Sequence, residues 1–171
     1  MKVIVCVAIF VLAGTFATAA QHKSVYTSIS EKGCKTLHSN PDEGGSYLGE
    51  CRGIAGYRLQ VVEGDIRQSI NVIAPSGRKS ELNLWNIRSG FSSLGPSAEW
   101  RLKAGKPIAL IVRFNVSENP ENSAIITSYL VIAKITRSRI CVTDLIDPSK
   151  DQNTNARLAA YNSASRKCGF E

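Results

Sequence analysis

"YRLQVVEGDIRQSINV", residues 57–72, decides the fold class. Tyr57, Leu59 and Val61 alternate with Arg58 and Gln60. After Glu63-Gly64-Asp65, Ile66, Ile70 and Val72 alternate with Arg67, Ser69 and Asn71. Period-two alternation on two arms joined by a glycine-containing turn predicts an antiparallel hairpin with one dry and one wet face. With Gly64-Asp65 at the centre of the turn, Leu59 faces Ile70 and Tyr57 faces Val72. Both apolar sets then share one side.

The pattern continues in both directions. Upstream, "SVYTSIS" (24–30), "CKTLH" (34–38) and "SYLGEC" (46–51) read as short strands around the turn "NPDEGG" (40–45). Downstream, "APSGRKS" (74–80) is a loop, "ELNLWNI" (81–87) a short strand, and "FSSLGPS" (91–97) a turn-rich connection. "AEWRL" (98–102) and "PIALIVRFNV" (107–116) form a further hairpin. Its faces are Ala98, Trp100 and Leu102 on one arm and Ile108, Leu110, Val112, Phe114 and Val116 on the other. "SAIITSYLVIAKIT" (123–136) is apolar on both faces, as a central strand requires, and "SRICVTDLID" (138–147) is the last extended segment. From Asp147 to Cys168 the β-branched runs stop. Leu158, Tyr161 and Cys168 recur at helical spacing, with Asn153 or Thr154 as cap and Gly169 as stop. These signs predict one mainly β domain over residues 20–171: an antiparallel β-sandwich or partly closed barrel with a C-terminal helix laying Leu158 and Tyr161 on the sheet.

The first nineteen residues have the form of a signal peptide: Lys2, an apolar run from Val3 to Phe16, then Ala17-Thr18-Ala19 with cleavage after Ala19 or Ala20. The run is short for a membrane span, so the mature chain is expected to be exported without a transmembrane anchor, most simply to a bacterial periplasm. Removing the segment removes one of the five cysteines. Four remain, Cys34, Cys51, Cys141 and Cys168, and an even number in an oxidising compartment indicates two disulfides. Spacing alone permits three pairings. The "NPDEGG" turn brings Cys34 back to Cys51, which leaves Cys141 for Cys168. Zinc signatures need close ligand couples, which this chain lacks, so neither metal nor cofactor is expected.

Twenty-one Lys and Arg against fourteen Asp and Glu give a formal charge of +7. In that compartment a basic protein meets anionic envelope components or acidic proteins rather than nucleic acid. Candidate binding residues are Arg58 and Arg67 on the wet face of the hairpin, Arg137 and Arg139 on one face of the last long strand, and Arg113. Arg113 interrupts an apolar strand and calls for a carboxylate, with Glu99 the nearest candidate. Hydrolytic chemistry has thinner support. Gly95-Pro96-Ser97 lacks the closing glycine of a nucleophile elbow. Ser76 and Lys79 fall in a loop. Glu63/Asp65 and Asp42/Glu43 have ordinary turn roles, and Asp144, Asp147 and Asp151 lack the spacing of a calcium loop. The expected function is a non-enzymatic, inhibitor-like or binding module with a basic face. The alternatives are a hydrolase of envelope polymers or a structural envelope protein.

Four stretches, "CRGIAGYRLQVVEGDIRQSI", "SAEWR", "PIALIVRF" and "CVTDLIDPSKDQNTNARLAA", resemble a family of small secreted proteobacterial proteins. The shared features are Cys51 to Tyr57, Glu63 to Arg67, Glu99 to Arg101 and Asn153 to Arg157, with Arg52 where the family favours proline or a small residue. The resemblance implies secretion and a single domain, and no activity.

Overall fold

The computed structural model describes residues 23–42, 45–119 and 121–170, so the predicted targeting segment and its cleavage point lie outside the described residues. Ten strands follow in chain order: β1 (Lys23–Ser28), β2 (Cys34–Asn40), β3 (Ser46–Arg52), β4 (Arg58–Gly64), β5 (Arg67–Ile73), β6 (Lys79–Glu81), β7 (Ser92–Lys103), β8 (Lys106–Ser117), β9 (Ile126–Ile135) and β10 (Ile140–Ile146). One α-helix, α1 (Gln152–Asn162), comes last. All strands join one sheet in the order β10-β9-β8-β7-β5-β4-β3-β2, with β1 beside β7 and β6 beside β5. The pairing is antiparallel except for a single parallel bridge, Arg67 to Ser92, where β5 meets β7.

The sheet is not closed. It folds over at that bridge, so its two halves line a common core. Leu59, Val61, Ile70 and Val72 come from one half, and Ala98, Trp100, Leu110, Val112, Phe114 and Val131 from the other. Each such side chain, fully removed from water, contributes about 1.5–3 kcal/mol. The alternation read for Ile108 to Val116 therefore holds, and β9 is buried on both faces as its composition requires.

Helix α1 covers the outer side of β8 and β9 with a different stripe from the one expected. Ala156, Ala159 and Ala160 pack on Ala109, Ile111, Leu130 and Ile132, while Leu158 and Tyr161 are exposed. Small side chains let the helix lie close to the sheet, and the larger ones fall on its far side. Its N-cap is Asp151 rather than Asn153 or Thr154. Both disulfides are those expected, Cys34–Cys51 and Cys141–Cys168; the second ties the segment after the helix to the start of β10.

The deciding hairpin forms, with its pairing shifted by two residues. Leu59 faces Val72 and Val61 faces Ile70, which preserves both faces because the side-chain period is two. The central turn residues are Asp65 and Ile66, at φ 53° and 57°, a turn with both central residues left-handed. Ile66 is thereby turned out of the core and exposed. "FSSLGPS" is not a connection either. It forms the first half of β7, which carries a register shift between Leu94 and Ala98. "ELNLWNI" supplies only the end of β6 and then a single 3₁₀ turn, Leu84–Asn86.

A cationic rim and the groove beside it

The rim is built by strand register. Arg52 lies directly opposite Arg58, Arg58 opposite Ile73, and Ile73 opposite Lys79. These positions form one row across β3, β4, β5 and β6. Leu59 and Val72 point into the core, so the row points outward, where Arg52, Arg58 and Lys79 are exposed. Ile73, in the same row, is buried. The loop after β5 then extends the row. Arg78 donates from Nη1 to the Ser138 carbonyl at 2.7 Å and from Nη2 to the Arg137 carbonyl at 3.3 Å. That docks the β9–β10 turn, with exposed Arg137 and Arg139, against the same edge.

Six cationic side chains thus gather at one end of the fold. Arg58 Nη1 lies 2.8 Å from Glu50, and Lys79 Nζ 2.6 Å from Glu81. Arg52 and Arg137 make no ion pair among the described residues. Like charges directly opposite on neighbouring strands repel, and Glu50 on β3 offsets part of the repulsion between Arg52 and Arg58.

Below the row, the same face carries a groove of about 440 Å³ whose lining includes His38, Leu48, Gln60, Asn71, Glu81 and Trp85. Asn71 is 7% exposed, and its carboxamide has no hydrogen-bond partner among the described residues. Trp85 stands at the rim of this groove on the 3₁₀ turn, half-buried.

The expected site residues are only partly brought together. Arg137 and Arg139 sit in the turn after β9, not on a strand face. Arg67 is at the opposite end of the hairpin from Arg58, about 20 Å along the strands. There it pairs with Asp65, donates to the Ser89 carbonyl at 2.9 Å and lies over the Phe91 ring. Arg113 does not pair with Glu99. It donates from Nη1 to Ser128 Oγ at 2.8 Å and to Gln152 Oε1 at 3.3 Å.

Glu99 is taken by other partners. It accepts from Ser24 at 2.5 Å and Arg157 Nε at 2.8 Å, and Arg101 lies 3.4 Å away. Burial pushes its carboxyl upward, but hydrogen bonds from Arg157, Ser24 and Tyr26 outweigh that and hold it below the usual carboxylate range. Arg157 comes from α1, a contribution that strand alternation does not reveal. Arg78 and Arg157 are site residues that the sequence reading does not single out; Arg52, beside Cys51, is left over for binding once the staple and turn are assigned. Arg52 had a visible signal, a charged residue next to Cys51 where the family resemblance implies a small one.

Of the carboxylates considered for hydrolysis, Glu43 lies outside the described residues, and Glu63 and Asp65 are engaged locally. Glu63 accepts from Gln68 Nε2 at 2.6 Å, and Asp65 is held by Arg67. Among the described residues no three His, Cys, Asp or Glu side chains gather as a metal site, and no helix is long and apolar enough to cross a membrane. The fold and site define a disulfide-stapled, folded-over β-sheet protein with a cationic rim. No family model, curated protein or solved structure matches the chain.

Proposed function

We propose that the protein is a non-enzymatic binding module of the bacterial envelope, exported to an oxidising compartment, that holds an anionic polymer on its cationic rim. One observation carries this reading: Arg52 and Arg58 face each other across β3 and β4, and Arg78 joins them to the Arg137–Arg139 turn. Glu50 and Glu81 offset only Arg58 and Lys79 in the row, and a bound anion adds to that neutralisation. The two disulfides support an oxidising compartment, and the signal-like first nineteen residues support export. The groove beside the row favours a polysaccharide among polyanions, because Trp85 offers a ring face to a sugar and Asn71 an unpaired amide.

The test compares the wild-type protein with an Arg52→Gln/Arg58→Gln/Arg137→Gln/Arg139→Gln variant on polygalacturonate and on neutral dextran at low ionic strength. Affinity for the charged polymer should fall by roughly tenfold or more, the sum of four exposed charge contacts. Equal binding by both proteins, or equal binding to dextran, overturns the reading.

A further inference from the structure

A second cavity, of about 270 Å³, lies on the other side of the fold between α1, β7 and β8. Two guanidinium groups line it. Arg113 is partly buried and makes only the two neutral contacts from Nη1, to Ser128 and Gln152; no carboxylate pairs with it among the described residues. Arg157 contributes Nε and Nη2 to Glu99 and Tyr26 and keeps Nη1 unused. The single carboxylate in the wall, Glu99, already serves Arg157 and Arg101. The cavity therefore has surplus positive charge and unused donors in a place partly shielded from water, where a charge without a partner is costly.

The β7 register shift shapes this cavity. Gly95 and Pro96 form part of its wall, and a Cβ on Gly95 would come within 2.8 Å of Arg113 Cβ. A side chain there would displace Arg113, so glycine leaves the guanidinium its place. Bulges of this kind commonly re-aim a side chain beside a binding site. Facing the two arginines, Ile111, Leu130 and Ala156 make an apolar wall.

We infer that this cavity binds a short-chain carboxylate, its head group on Arg113 and Arg157 and its carbon tail against Ile111, Leu130 and Ala156. A guanidinium fork matches the two oxygens of a planar carboxylate. The volume, about 270 Å³, equals about nine waters, which suits a head group and a few carbons. This site is independent of the cationic rim.

The test is a titration of the ¹⁵N-labelled protein with butyrate, acetate and inorganic phosphate at constant ionic strength, following the Arg113 side-chain Nε–H resonance. Butyrate should give a saturable shift of that resonance, and should bind about 15-fold more tightly than acetate if both added methylenes are buried. Arg113→Met should abolish the saturable response while the rim variant retains it. If Arg113→Met fails to fold, the wild-type resonance alone decides. No saturable shift with butyrate up to about 50 mM, well above a millimolar dissociation constant, overturns the inference. So does a folded Arg113→Met protein that binds equally well. Phosphate binding more tightly than butyrate overturns the carboxylate assignment.

Discussion

Glu99→Gln removes the charge at the most heavily committed ionic group in the fold. Glu99 is 8% exposed and is met by Ser24 and Tyr26 from β1, Arg101 from β7 and Arg157 from α1. Breaking a buried ion pair by removing one partner costs about 3–5 kcal/mol. The Arg157 side chain is 42% exposed and the Arg101 side chain 12%, so water takes back part of that loss. A cost of about 2–3 kcal/mol is expected, below the buried limit and well above an exposed pair. Urea unfolding should show a lower midpoint at unchanged slope.

The pH dependence supplies a separate check. The folded-state value of Glu99 is depressed, so its contribution is complete above the ordinary glutamate value, about 4.3, and is lost as the pH falls through the lower folded-state value. The gap between wild type and Glu99→Gln should be constant from neutral pH to about pH 5 and should close below that. A gap under about 1 kcal/mol, in the range of surface pairs, would refute this view of the network. A gap that does not change on acidification would refute the assignment to the Glu99 charge.

Two further outcomes follow from local geometry. Ile66 holds a left-handed conformation that β-branched residues avoid, and it is 54% exposed; Ile66→Gly should therefore stabilise the protein by about 1 kcal/mol in the same urea assay, the strain released less the entropy of glycine. Cys168→Ala opens a loop of sequence separation 27 and should cost about 3.5 kcal/mol on a chain-entropy estimate, with amide exchange in α1 accelerating more than in β8.

The strands were legible because one face of nearly every strand meets the same core, which forces alternation in sequence. Both disulfides were legible for a related reason: the "NPDEGG" turn returns Cys34 to Cys51, so the other two cysteines were left to each other. The hairpin register differs by two residues from the one that centres the turn on Gly64-Asp65, because positive φ falls on Asp65 and Ile66. In the fold Gly64 is still in the ladder, opposite Arg67, and Asp65 and Ile66 make the turn. The helix face was misread because large apolar residues were expected to face inward. Contact with Ala109 and Ile111 favours alanine, and α1 presents Ala156, Ala159 and Ala160 instead.

The candidate site was half legible. Arg58 is far in sequence from Arg137 and Arg139, and the contact of Arg78 with the β9–β10 turn brings that turn to the same edge. The same gap explains the expected Arg113–Glu99 pair. Strand spacing brings the two near each other, but Arg157 arrives from the helix and takes Glu99, leaving Arg113 to Ser128 and Gln152.

The most direct test of the rim is co-sedimentation of the purified protein with isolated envelope fractions and cell-wall sacculi at low and at high salt. Binding at low ionic strength that weakens steeply as salt shortens the screening length, and that the four-arginine variant lacks, is the expected result. Binding that persists in high salt, or that the variant retains in full, would contradict a function carried by the cationic rim.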